Sequence, residues 1–277
     1  MEISAECNPE SIDAKKLLAY NKMGLTRLSL GVQSFDKKTL LHIARPHDYP
    51  TILKALAAIQ KSPIKNYGCD FIMGLPYQTI ANFKKQLAKI LSFKIPHLSF
   101  YFLSYDTRRI DLFKAACPSE EIQIKMYHHL SKSLKKAGYL HYEVSNYALP
   151  GFECRHNLRY WEQQEYLGLG LGAHSYYDSK CFENEKNFDV YLQNPANIHE
   201  EVTIDPELKK MDYIMLQLRT HNGIDLKKYQ QKFGDFAELH QKARPYLETG
   251  QLQQTKSRLH ASEKGFLILD RITRDLI

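Results

Sequence analysis

The sequence predicts an α/β fold built on a parallel sheet, either a barrel or a doubly wound layer, followed by a smaller helical region. Three observations lead there. Short β-rich runs alternate with amphipathic helical runs as far as about Tyr147, polar residues gather at the ends of those runs, and the character changes to helices near residue 200.

The first run is "EISAE", and "SIDAKKLLAYNKMG" follows it, where Ile12, Leu17, Leu18 and Met23 share a helix face and Gly24 supplies the stop. "TRLSLGV" is the second strand, and helical material continues through "TILKALAAIQKS". Then come "NYGCDFIMG", the helix "TIANFKKQLAKILSF", the strand "HLSFYFL", the helix "EEIQIKMYHHLSKSLKKAG" and a fifth strand, "LHYEVSNY". One crossover helix between successive strands is the signature of parallel pairing, because a tight turn cannot join parallel neighbours. In such sheets ligands gather at the carboxyl ends of the strands. The residues expected there are Glu6 and Asn8, Gln33 and Ser34, Asp70 through Pro76, Ser104 and Tyr105, and Glu143 to Asn146.

Beyond residue 200, "DPELKKMDYIMLQLRTHNG", "DLKKYQQKFG" and "DFAELHQKARPYLETG" read as three helices, "QLQQTKSRLHAS" as a two-stranded wing and "EKGFLILDRITRDLI" as a last helix. Helices closed by a hairpin resemble a winged-helix module. Its basic residues form no stripe, so a structural lid is favoured over a nucleic-acid surface.

Composition narrows the class. The 277 residues are 43% apolar and 25% charged, as in ordinary globular proteins. No run approaches the roughly 18 apolar residues of a membrane span, and "MEISAECNPE" has no leader character, so a cytoplasmic location is expected. The net charge of +7 comes from lysine pairs on helical stretches, which are usually solvated faces, so nucleic acid is not the expected partner. Five cysteines, Cys7, Cys69, Cys117, Cys154 and Cys181, form neither a disulfide framework nor a CxxC pattern.

Glu6, Gln33, Arg45 and Asp70 stand near the ends of successive strands or in the loops beyond. Two carboxylates, an amide and a guanidinium suit a zwitterionic amino acid joined to a ribose, and they equally suit loop salt bridges and caps. Asp70 is the most constrained, since a carboxylate inside an apolar strand costs several kcal/mol unless partnered. "YLGLGLGAHS" fits a dinucleotide fingerprint only superficially, because "SYYDSK" rather than a helix follows it. Its alternating glycines are expected to clear one face of a close-packed strand, with His174 a secondary candidate. His156 could be a core histidine, a general base or an axial ligand to heme iron. No nucleophile signature such as GxSxG occurs.

The ordered series "ISAECNP", "GLTRLSLGVQSFDKKTLLHIARPH", "CDFIMGLPYQT", "HLSFYFL", "GYLHYEVSNYALPGFECRHNLRYW" and "YLGLGLGAHS" resembles the radical S-adenosylmethionine (SAM) proteins related to oxygen-independent coproporphyrinogen III oxidase. Within that group it looks closest to the HemW-type heme chaperones. The resemblance implies an incomplete parallel (β/α) partial TIM-like barrel with the heme-motif region over residues 1–200, and a C-terminal winged-helix-like helical domain over residues 201–277. It implies that Glu6, Gln33, Arg45 and Asp70 hold SAM. Arg45 would meet the methionine carboxylate, Glu6 the ammonium, and Gln33 and Asp70 the ribose. It also singles out His156, Asn157, Tyr160 and Trp161 as the HNxxYW heme motif, with His156 toward the iron.

The family's CxxxCxxC motif for a [4Fe-4S] cluster lies upstream of the glutamate stretch, and this chain begins almost at that stretch. The sequence is therefore read as the C-terminal two thirds to three quarters of a HemW-like protein, not expected to hold the cluster or to be catalytically competent alone. The implied activity is heme delivery to an acceptor protein, with a homodimer compatible. The alternatives are a coproporphyrinogen dehydrogenase and an inactive adaptor remnant.

Overall fold

A computed structural model of the chain, described over residues 1–103 and 116–277, shows two compact units, Met1–Glu153 and Cys154–Ile277. The units divide at Glu153/Cys154 rather than at the expected 200/201, so the heme-motif segment groups with the C-terminal helices.

In the first unit, β1 (Ser4–Cys7), β2 (Arg27–Gln33), β3 (Asn66–Met73) and β4 (His97–Phe102) pair in parallel, in that order. The crossovers are α1 (Ala14–Lys22), α2 (Lys37–His42) with α3 (Tyr49–Lys61), and α4 (Ile80–Ser92). Each starts where a side-chain oxygen accepts an otherwise orphaned backbone N–H: Asp13 from Lys16, Asp36 from Thr39, Asp48 from Thr51 and Thr79 from Asn82. Gly24, at φ +95°, follows the end of α1 in a conformation that costs glycine little. The positions Ser104 and Tyr105 lie outside the described residues.

The fifth strand departs from expectation. After α5 (Glu120–Lys136), "LHYEVSNY" is not one strand but a hairpin, β5 (Leu140–Glu143) and β6 (Asn146–Ala148). The sheet order is β1-β2-β3-β4-β6-β5, with β6 antiparallel to both neighbours. Val144 and Ser145 make the turn, and a run of eight residues was too short to show a break in period.

Strand alternation gives this sheet two unlike faces. One carries Leu28, Leu30, Val32, Tyr67, Cys69, Phe71, Met73, Leu98 and Phe100, all buried, and the helices bury Leu17, Ile52, Leu56, Ile59, Phe83, Leu87 and Leu130. Each such leucine or isoleucine contributes on the order of 1.5–3 kcal/mol. The other face is polar, and the candidate site lies on it.

The second unit opens with α6 (Arg155–Trp161) and an antiparallel sheet in the order β7 (His174–Tyr177), β8 (Lys180–Asn184), β9 (Ile198–Thr203), with α7 (Phe188–Gln193) between the last two. Sequence reading missed β8, α7 and β9, because α7 and β9 bury no residue and so show no apolar period. The expected glycine strand is instead a loop. Gly170 and Gly172 have φ of +112° and +63°, outside strand geometry, and Leu169 is 93% exposed. Gly168 alone meets the expected close approach, since a Cβ there would lie 2.2 Å from the His174 carbonyl oxygen. His174 Nε2 itself lies 3.2 Å from Glu183 Oε1.

The winged-helix topology follows: α8 (Pro206–Leu218), β10 (Ile224–Asp225), α9 (Leu226–Phe233), α10 (Ala237–Glu248), then the wing β11 (Leu252–Gln254) and β12 (Arg258–Ala261), in sheet order β10-β12-β11. The expected last helix is two, α11 (Glu263–Phe266) and α12 (Leu269–Leu276). Among the described residues no helix is long and apolar enough to cross a membrane.

Candidate functional site

Glu6 pairs in register with Ser29, Ser29 with Gly68, and Gly68 with His97; Gly31 pairs with Asp70, and Asp70 with Ser99. Side chains two apart share a face, so Arg27-x-Ser29-x-Gly31, Asn66-x-Gly68-x-Asp70 and His97-x-Ser99-x-Tyr101 form a polar field across three strands. Arg27, His97 and Ser99 in this field are buried, Ser29, Asn66 and Asp70 half-buried and Tyr101 exposed, so the face offers hydrogen-bonding groups rather than apolar packing.

Asp70 is central to it. The Ser29 hydroxyl lies 3.0 Å from each of its carboxylate oxygens, and Ser99 bonds it from the next strand. Burial pushes its pKa up, Ser99 and Ser29 oppose that, the Glu6 carboxylate pushes it further up, and Arg27 pulls it down. Glu6 and Asp70 therefore feel one another, as expected of groups sharing a site. Asp70 is partnered by hydroxyls, not by a cation. Tyr101 is pushed up to about 12, first by burial and then by Asp70, and Cys7 to about 12 by burial, Asp70, Glu10 and Glu6. Negative charge is concentrated at this end of the sheet.

Gln33 and Arg45 converge on Asn8. Arg45 Nη1 donates to Asn8 Oδ1 at 3.3 Å, and a Cβ on Gly31 would sit 3.4 Å from that same oxygen and 3.0 Å from Gln33 Nε2. Gln33 has φ +63° just after a register shift in β2, and Ala44, before Arg45, has φ +55°. Left-handed non-glycine residues cost of order 1–3 kcal/mol and cluster at functional sites. His47 anchors the segment from below: its Nε2 bonds the Val32 carbonyl oxygen at 3.1 Å, and Nδ1 is 3.2 Å from Glu10 Oε2.

Deeper in the field, Arg27 is 2% exposed and donates to Asn66 Oδ1 at 2.6 Å and to the Phe152 carbonyl at 3.1 Å. His97, also buried, has its pKa held well below the usual imidazole range by burial and by Arg27. Its Nε2 meets the Tyr142 hydroxyl at 2.7 Å. Sequence reading missed Arg27, Ser29, His97 and Ser99, although their alternation was visible in the three strands.

The second candidate set lies on α6 in the other unit. His156 and Tyr160 are one turn apart, with ring centroids 4.9 Å apart at 86°, and Tyr160 meets Tyr166 at 4.6 Å. Asn157 Oδ1 accepts from Cys154 Sγ at 3.4 Å. The Trp161 carbonyl accepts from Gln217 Nε2 at 2.7 Å, while its buried indole N–H has no acceptor. His156 is exposed, with Arg155 and Arg159 beside it on the helix surface.

Among the described residues no three His, Cys, Asp or Glu side chains converge in a way that could hold a metal ion.

Residues 1–90 match the family model of the radical SAM superfamily, and residues 212–268 match the HemN C-terminal domain. A heme chaperone HemW of Lactococcus lactis is 30% identical over 275 residues, covering 96% of this chain and 72% of that protein. A heme chaperone HemW of Synechocystis is 39% identical over 234 residues, 80% of this chain, and the match spans 57% of the relative. The solved coproporphyrinogen III oxidase (HemN) of Escherichia coli, described as a radical SAM enzyme, superimposes with a TM-score of 0.84 at 20% identity, over 99% of this chain and 69% of that one.

Proposed function

The chain belongs to the HemW family of heme chaperones within the radical SAM superfamily, and from that premise we propose that it binds heme through α6 and passes it to an acceptor protein. The observation that carries the reading is the pairing of His156 with Tyr160 on an exposed helix face. Heme needs an imidazole for its iron, aromatic or apolar surface for its macrocycle and cations for its propionates. His156 supplies the first, Tyr160 and Trp161 the second, and Arg155 and Arg159 the third. Asn157, held by Cys154, fixes the turn before them.

The polar field of the first unit is proposed to hold SAM, with Arg45 at the methionine carboxylate, Glu6 at the ammonium, and Gln33 and Asp70 at ribose hydroxyls. The donor set fits. Gly31 leaves room beside Gln33 and Asn8, and Asp70 presents its carboxyl group between the Ser29 and Ser99 hydroxyls. SAM in such a site supplies a sulfonium whose cleavage needs an electron; no step here passes through a cluster.

Titration with hemin followed at the Soret band tests the heme role. A saturable shift in the wild type that is lost or moved in His156→Ala supports it. No shift, or an unchanged one in His156→Ala, overturns it. Transfer is read by mixing the loaded protein with an apo-hemoprotein and following the second spectrum.

A further inference from the structure

The C-terminal ends of β2 and β3 also border a cavity that neither proposed ligand uses. It has a volume of about 250 Å³ and is lined by Ser34, Phe35, Asp36, Gln78, Lys85, Gln86 and Lys89 among others. Its floor is the Phe35 ring, which packs edge-on against Tyr49, Phe71 and Phe93, so the cavity opens on the helical side of the sheet. Ser34 follows Gln33 directly, which makes this a neighbour of the polar field and not a part of it.

A donor and acceptor count decides what would fit. Gln78 is 8% exposed; its Oε1 accepts the Gly74 N–H at 2.9 Å, which leaves its amide nitrogen to donate. Ser34 is 2% exposed; its oxygen accepts from Gln86 Nε2 at 3.0 Å and from the Asp36 N–H at 3.1 Å, which leaves its own O–H to donate. Lys85 is exposed, and Lys89 lies over the Tyr49 ring, 3.7 Å from its centroid. The one carboxylate present, Asp36, turns Oδ1 to the Thr39 N–H at 2.8 Å and to the Thr39 hydroxyl at 2.6 Å, capping α2. Donors outnumber free acceptors, two of them are ammonium groups, and two sit on side chains more than nine-tenths buried.

We propose that this cavity binds a small oxyanion, a carboxylate or phosphate group carried by a molecule small enough to rest on Phe35. Charge-assisted bonds from Lys85 and Lys89 hold the anion. The Ser34 hydroxyl and the Gln78 amide set its orientation.

The test is ¹H–¹⁵N spectroscopy of the whole chain, titrated with inorganic phosphate in one arm and succinate in the other. Saturable shifts of the Ser34, Gln78 and Lys85 amides are expected in at least one arm, and which arm responds assigns the anion. Gln78→Glu keeps the acceptor for Gly74 and replaces the donor by a negative charge. The double variant Lys85→Gln, Lys89→Gln removes the cations at exposed positions, where folding is least affected. Each is expected to weaken the response at least ten-fold. Absence of saturable shifts in both arms, or an affinity unchanged in the lysine double variant, overturns the site.

Discussion

The buried ring of His47 lies 3.1 Å from the carbonyl oxygen of Val32, and this contact ties the segment carrying Arg45 to the residue before Gln33. The same ring reaches Glu10, in the turn after β1, at 3.2 Å. Three of the four segments that bear the proposed SAM residues thus meet at one imidazole. His47→Ala is expected to cost about 1–3 kcal/mol, the scale of a buried polar partner lost. Hydrogen exchange should show where the cost falls, with faster exchange around residues 32–34 and 43–47 and unchanged exchange in α5. Uniform acceleration would reduce His47 to a general packing residue.

Asp70 gives a prediction with a definite sign. Burial raises its pKa in the folded state, so the folded protein holds that proton more tightly than the unfolded chain does. Its favourable contribution is fully present below the ordinary value of 3.8 and is lost as pH rises through the raised folded value. Ionised Asp70 is then a cost at neutral pH. Asp70→Asn should melt higher than wild type at pH 7, and the difference should shrink as pH falls toward 4. A variant less stable at every pH would show that the carboxylate's bonds to Ser29 and Ser99 outweigh its desolvation.

Gly68 faces His97. A Cβ there would sit 2.8 Å from His97 Nδ1 and 3.3 Å from the His97 carbonyl oxygen. Gly68→Ala should destabilise by about 1–3 kcal/mol through overpacking. A denaturant melt measures it, and an unchanged midpoint would mean that the histidine has room to retreat.

Cys7 should be inert at neutral pH. Burial and three nearby carboxylates push its thiol up to about 12, and thiolate is the reacting form. Treatment with iodoacetamide, read by mass spectrometry, should leave Cys7 and Cys69 unmodified until the protein is denatured. Prompt alkylation of Cys7 in the native protein would contradict the electrostatics described above.

The sequence carried the parallel sheet well, because amphipathic helical runs alternated with short β-rich ones. It also carried Asp70, since a carboxylate between Cys69 and Phe71 has few bland explanations. What it hid has physical reasons. Ser29, His97 and Ser99 are polar residues that alternate with buried apolar ones, a pattern normally read as one wet face; here the wet face is the interior. The hairpin at Val144–Ser145 was missed because four-residue strands give too few periods, and the leucine-glycine loop because its alternation imitates a strand while its φ angles forbid one. Nothing in the residues alone foretold that α7 and β9 would form without burying a side chain.

The position of β6 between β4 and β5 constrains the order in which the chain can assemble. During synthesis β5 is made before β6, yet among the described residues β6 is the strand it pairs with. Residues 140–143 can rest on α5 but cannot join the sheet until Asn146–Ala148 have emerged, so a sheet built from the N-terminus onward waits with β4 at its edge. A nascent chain that has released β4 while residues 144–148 are still inside the ribosomal exit tunnel has an open β4 edge, and that interval is when the protein most needs protection from other chains.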